Sequence, residues 1–238
     1  MALKRNRLVK LSKHREADRA SFNWRRSLSL ALHTLREAGL LQVATVALVG
    51  SYARGAGIWR SDVDVLVLTR GPRSRPTPPY GVHFQLVDVN RFQERLSRGD
   101  DYALAALKFG KLLRDGLSVW PAFREQAVTA KWPGWREKLT GGHRRAKLAR
   151  YLLEASEGDA ATEEMLLAAT QIARGGLLRH GIYPFSRPEL SAQLRAIGEH
   201  ALARDMDALI ESNCDDEELG RISEHLEAIT AQGASASA

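Results

Sequence analysis

Residues 46–68 read VALVGSYARGAGIWRSDVDVLVL, and no other stretch restricts the fold as much. Two apolar, β-branched runs flank a Gly-Ser turn, and the second run carries two acids, Asp62 and Asp64, separated by one valine. Ionised carboxylates are costly to bury unless they are paired or coordinate a cation. On a strand, residues i and i+2 project from the same face, so the two acids stand side by side at the head of a strand that is otherwise apolar.

The flanking sequence supplies the elements around this pair. Val43–Val49 reads as a strand stopped by Gly50, with further strands at Val63–Leu68 and Val82–Val89. Between the last two, residues 70–81 hold four prolines and three arginines, the composition of an exposed loop. A helix is expected from about Ala17 to Ala38, with Leu28, Leu32 and Leu35 on one face and Gly39 at its end. Asn90 is placed to cap a helix RFQERLSRG, Asp100 to cap DYALAALKF, and GKLLRDG to add a short edge strand. After about Ala130 only helical patterns remain, at roughly 134–156, 160–180, 188–212 and 215–231, with Ser186 as a cap and Pro188 in a first turn. The expectation is an α/β (α+β) domain over residues 1–130, an all-α helical bundle over 131–231 and a disordered tail over 232–238.

Composition narrows the chemistry. The 238 residues carry a single cysteine, Cys214, which excludes an intramolecular disulfide and a Cys-rich zinc site and points to a reducing cytoplasm. No apolar run approaches the roughly 20 residues of a membrane span, and no signal-peptide core follows the basic N-terminus. Net charge is +7 and the pI is near 9.8, which favours polyanionic partners such as nucleotides or RNA. Nine Lys or Arg fall in the first 26 residues, either as a solvated basic arm or as a nucleic-acid surface.

The opening stretch has a chemical reading of its own. Gly50 and Ser51 end a strand and open a helical turn, whose free N–H groups and hydroxyl suit a phosphate. After ten intervening residues come Asp62 and Asp64. Their mutual repulsion is removed by a divalent cation, and Mg²⁺ takes one or two carboxylates together with phosphate oxygens. A phosphate cradle beside such a pair equips a site for phosphoryl or nucleotidyl transfer. The Lys of a P-loop is absent, and Gly50, Gly55 and Gly57 do not fit G-x-G-x-x-G.

G-S-x(10)-D-V-D-V with apolar flanks resembles the signature of the DNA polymerase β-type nucleotidyltransferase superfamily, and "GSYARG…SDVDVLV" is most like its minimal nucleotidyltransferase members. The resemblance covers roughly residues 40–115. It implies a small mixed sheet flanked by helices, two Mg²⁺ ions on the nucleotide phosphates, and in-line attack of an acceptor hydroxyl on the α-phosphate with release of pyrophosphate. By the resemblance, Gly50 and Ser51 hold the triphosphate, and Asp62 and Asp64 are metal ligands. The family adds a third carboxylate on a neighbouring strand, as metal ligand and base. In VHFQLVDV the candidates for that place are Asp88 and Gln85, which lie three apart and cannot share a face. Arg54 is placed to reach a phosphate, and Ser61 either joins the nucleotide site or orients the start of the strand.

The second half resembles the helical bundles of kanamycin nucleotidyltransferase-like enzymes and of the HEPN group, through RAKLARYLLEAS and EEMLLAATQIARGGLLRHGIYPFSRPELSAQL. In single-chain members such a bundle binds the acceptor. Arg174 and His180 match R-x(4–6)-H of HEPN ribonucleases, yet six helical residues leave them some 120° apart, and His180 also suits a helix C-terminus before Gly181. Trp120, Trp132 and Trp135 read as packing residues more than base-stacking ones. His143, Arg144, Arg145, Lys147 and Arg150 face either a polyanion or water.

The function expected is Mg²⁺-dependent transfer of a nucleoside monophosphate, AMP first, from an NTP to a hydroxyl, with Asp62, Asp64 and Asp88 as catalytic and metal residues and Gly50, Ser51, Arg54 and Ser61 at the nucleotide. The alternatives are a toxin–antitoxin-type protein with a ribonuclease half and a catalytically idle nucleotide- or RNA-binding module. An RNA end, a nucleotide or a partner protein's hydroxyl fits the charge better than a cationic antibiotic; no membrane partner is expected, and a homodimer stays open.

Overall fold

The protein is described by a computed structural model covering residues 23–58, 61–211 and 214–235. The basic arm, Phe22 and the first part of the expected N-terminal helix lie outside these residues. The chain divides into two compact units, Met1–Lys131 and Trp132–Ala238.

In the first unit, helix α1 (Trp24–Glu37) starts at Asn23, whose side chain accepts from the Arg25 and Arg26 N–H groups, and it buries Ala31 and Leu35. Strand β1 (Thr45–Leu48), the short helix α2 (Gly50–Arg54), β2 (Val63–Thr69) and β3 (Val82–Asp88) follow. Next come α3 (Val89–Ser97), α4 (Asp101–Phe109), β4 (Lys111–Asp115) and α5 (Trp120–Thr129). The four strands form one small mixed sheet in the order β3-β2-β1-β4. β1 is antiparallel to β2 and β4, whereas β2 and β3 run parallel.

The β2–β3 register pairs Asp64 with His83, Leu66 with Gln85 and Thr69 with Asp88. Alternation therefore puts Asp64, Leu66, His83 and Gln85 on one face, and Val63, Val65, Val67, Val82 and Phe84 on the other, where Ala31 and Leu35 join the core. Leu66 and Leu68 are fully buried, so Asp64 stands at the polar end of an apolar row. At the far edge, Asp115 accepts from Thr45 Oγ1 at 2.5 Å and from the Val119 and Trp120 N–H groups, tying β4 to α5.

The elements of the second unit among its described residues are all helices: α6 (Trp135–Glu154), α7 (Gly158–Arg179), α8 (Arg187–Ala196), α9 (His200–Glu211) and α10 (Asp216–Ser235). A methyl group on Gly142 would lie 2.6 Å from Ile172, and one on Gly175 would lie 2.8 Å from Leu139. Those glycines, with Ala146, Ala149, Ala168, Ala169 and Ala173 in the core, let α6 and α7 approach closely. No helix among the described residues is long and apolar enough to cross a membrane.

Four local expectations change. Asp88, not Asn90, caps α3. The helix expected over 188–212 is two helices, because Gly198 at φ +86° breaks it. α5 appears where no element was expected, started by Pro121 in its first turn and the Asp115 carboxylate on its first N–H groups. Finally, α10 runs to Ser235, so the expected tail is helical to that point, anchored upstream by buried Ile222 and Leu226, and 236–238 lie outside the described residues.

Candidate active site

The site is built where β1 gives way to α2. The Val49 N–H still donates to the Asp64 carbonyl at 2.9 Å, extending the ladder one residue past β1. At Gly50 the chain turns with φ +72°. A Cβ on Gly50 would sit 2.4 Å from Asp64 Oδ2, so only glycine lets the first residue of α2 lie directly against that carboxylate. Val49 gives the helix no side-chain cap. Ser51 is buried next to Gly50, and Arg54 stands half-buried in the last turn of α2. Ser61 lies before β2, where its Oγ accepts from the Ile58 N–H at 3.2 Å.

Asp62 is exposed and Asp64 partly buried. Burial pushes the Asp64 carboxyl above its usual range; the His83 hydrogen bond and charge oppose this, Asp62 reinforces it, and a Gln85 hydrogen bond opposes it. The His83 Nδ1–Asp64 Oδ1 distance is 3.3 Å, with the imidazole half exposed. Both carboxylates are thus felt at one place. Asp62 also helps burial raise the Tyr52 phenol, and Asp64 helps burial raise the Tyr102 phenol on α4.

Asp88 is not brought to this place. Paired with Thr69, it faces the other side of the sheet, where its carboxylate accepts from Gly71 N–H at 2.9 Å and from Asn90 and Arg91 N–H at 2.9 and 3.4 Å. Those bonds, Gly71 first, hold its carboxyl below the usual range. Gln85, opposite Leu66, lies on the Asp64 face instead, where it helps His83 hold the Asp64 carboxyl down against burial. His83 was overlooked in the sequence; its signal was its place two residues before Gln85, on the same face of β3.

The donor set beside Asp64 is therefore two carboxylates and a neutral amide. It suits a divalent cation that completes its shell with phosphate oxygens and water, since a cation relieves the repulsion on a partly desolvated Asp64. Among the described residues no group of three or more His, Cys, Asp and Glu side chains could hold an ion unaided.

In the second unit, Arg174 lies on α7, and His180 is that helix's C-cap, followed by Gly181 at φ +72°. Trp132 packs edge-on against Tyr183 at 5.8 Å and donates to the Leu178 carbonyl at 3.2 Å. Trp135 lies under the guanidiniums of Arg136 and Arg179, while Trp120 is buried in the first unit. Of the basic run, Arg145 pairs with Glu164, and Arg150 with Glu154 and Glu227.

Residues 29–132 match the family model of the nucleotidyltransferase domain. No curated protein matches the sequence. A solved structure, a nucleotidyltransferase-like protein from Exiguobacterium sibiricum 255-15, aligns over 86% of this chain and 75% of its own, at 16% identity and a TM-score of 0.47.

Proposed function

We propose that this protein, whose residues 29–132 match the nucleotidyltransferase-domain model, transfers a nucleoside monophosphate, AMP in the first instance, from a nucleoside triphosphate to an acceptor hydroxyl, with Mg²⁺ and release of pyrophosphate. One contact supports the reading above all: the glycine that opens α2 lies against Asp64, so groups suited to phosphate and to metal meet at a single point.

In this reading Asp62 and Asp64 hold the cation. When bound, it neutralises charge on the triphosphate and on the departing pyrophosphate. Gly50 and Ser51 offer backbone N–H groups to the phosphates, and Arg54 adds a positive charge to the same short helix. His83 fixes the orientation of the Asp64 carboxylate through Oδ1. Ser61 shapes the turn from which Asp62 projects. The charge of +7 favours an anionic acceptor, an RNA end or a nucleotide, with a partner protein's hydroxyl as the third candidate.

A second reading, a module that binds nucleotide with little turnover, is favoured by Gln85, which cannot take a proton from the acceptor as a carboxylate would. One experiment separates the two. The protein is incubated with NTPs labelled at the α-phosphate, Mg²⁺ and a cell lysate. Transfer expects one labelled product with pyrophosphate, both lost in Asp62→Ala and Asp64→Ala. Saturable NTP binding with no labelled product from any NTP would overturn transfer in favour of the binding module.

A further inference from the structure

Asp62 immediately precedes β2, where the Val63 N–H donates to the Gly81 carbonyl at 2.8 Å, and on its other side the chain is bonded to Tyr52. Tyr52 is buried in α2, its ring stacked on Trp24 with centroids 5.3 Å apart and planes 23° apart. The chain returns across that ring at Gly57, where a Cβ would fall 2.2 Å from Tyr52 Cδ1. One residue on, the Tyr52 hydroxyl donates to the Ile58 carbonyl at 2.7 Å. The same carbonyl accepts the Ser61 N–H at 2.8 Å, and the Ile58 N–H donates to Ser61 Oγ at 3.2 Å. Ser61 is bonded covalently to Asp62. The route from phenol to carboxylate is thus two hydrogen-bonded steps and one peptide link.

We propose that Tyr52 is a positioning residue for the carboxylate pair: by holding the Ile58 carbonyl, to which Ser61 is also bonded, it sets Ser61 and through it presents Asp62 beside Asp64 to a divalent cation. The inference rests on the nucleotidyltransferase reading of that pair. Burial and the nearby Asp62 raise the phenol's pKa, so it remains a donor at neutral pH. A carboxylate preset in this way binds an ion without first giving up the freedom of its turn. Phenylalanine would keep the Trp24 stack and the Gly57 contact and remove only the hydroxyl.

The test is a double-substitution cycle read by Mn²⁺ binding in calorimetry, on the full chain. Four proteins are compared: the natural sequence, Tyr52→Phe, Asp62→Asn and the double variant, each checked for folding by its thermal midpoint. The expected result is affinity about fivefold to tenfold weaker in Tyr52→Phe, the size of one lost hydrogen bond acting on the site. Asp62→Asn should bind equally weakly with Tyr or Phe at position 52. A merely structural Tyr52 would lower the midpoint in both backgrounds and leave Mn²⁺ affinity untouched, which would overturn the proposal. An equal loss of affinity with and without Asp62 would overturn it too, since the effect would not travel through that carboxylate. If the natural chain binds no Mn²⁺, the reading of the pair itself fails; if it binds and Tyr52→Phe binds alike, only the role of Tyr52 fails.

Discussion

Gln85 lies on the Asp64 face of the sheet, opposite Leu66 and two residues beyond His83, in the place where a third acid was sought. The arrangement keeps the site at two negative charges. It also lightens the burden on Asp64, whose ionised form burial and Asp62 both oppose. Gln85→Glu, nearly isosteric, would add a third carboxylate to the same cluster. Without metal, like-charge repulsion should lower the thermal midpoint. With Mn²⁺ or Mg²⁺ the order should reverse, giving tighter ion binding and faster label transfer than the natural chain. Calorimetry and the labelling assay read both halves, and unchanged ion affinity would count against Gln85 as the occupant of that position.

Gly50→Ala is expected to be severe for two separable reasons. The positive φ costs a side chain about 1–2 kcal/mol, and the new methyl group would meet Asp64 Oδ2 at 2.4 Å. Chemical denaturation should show the stability loss. Ion affinity should fall as well, because the carboxylate must move. Gly55→Ala shares the strained φ of +78° but meets nothing within 4 Å, so it should lose stability alone. Equal ion binding in the two variants would refute the close approach.

Removing either acid should abolish transfer, yet the two should differ in stability. Asp64 is desolvated and repelled by Asp62, so Asp64→Asn relieves a strained charge and should raise the metal-free thermal midpoint by roughly 2 °C or more. Asp62 is exposed, and Asp62→Ala should leave the midpoint nearly unchanged. Calorimetry at pH 7 without divalent ions makes the comparison; a midpoint lowered in Asp64→Asn would contradict the account of its burial.

Asp88 is predicted to matter for stability and not for chemistry. Its three backbone N–H bonds stabilise the ionised form, so its native pKa lies below the unfolded value of 3.8. The stability it contributes is therefore full above about pH 4 and is lost as pH falls through the lowered native value. Asp88→Ala should unfold at lower temperature at pH 7, with the gap to the natural chain closing under acid. Label transfer at low temperature should be unaffected, and its loss would restore Asp88 to the site.

Much of this was legible from local chemistry. The strands followed from β-branched runs, and the caps at Asp100 and Ser186 from side chains that bond within a turn. Strand alternation was the ground for setting Asp62 beside Asp64, whereas β2 begins only at Val63, after Asp62. What sequence left open depends on register between elements. Whether Gln85 or Asp88 faces Asp64 is fixed by where loop 70–81 returns the chain, with Arg75 donating to the Phe84 carbonyl at 2.7 Å. His83 takes its place opposite Asp64 only through that register. The role of Tyr52 was hidden for a related reason, since it depends on Gly57 passing over an aromatic face.

The helical unit holds one buried carboxylate whose loss should be costly. Asp205 on α9 is 1% exposed and accepts from Arg221 Nη2 at 2.8 Å, with His225 Nδ1 at 2.5 Å from its other oxygen. Arg221 and His225 lie four apart on α10, one turn of a helix, so a single carboxylate clamps both. Asp205→Ala would leave a cavity at α9 and strand both α10 side chains without their shared acceptor. Losing the carboxylate and the two hydrogen bonds it accepts should cost about 1–3 kcal/mol, or roughly 2–12 °C in a chain of this size. Arg221→Ala should cost less, because that side chain is 57% exposed and His225 still serves the carboxylate. Calorimetry of the two variants at pH 7 tests the ranking. If Arg221→Ala proved the more damaging, α10 would be held through the guanidinium and its other neighbours, and not through the buried acid.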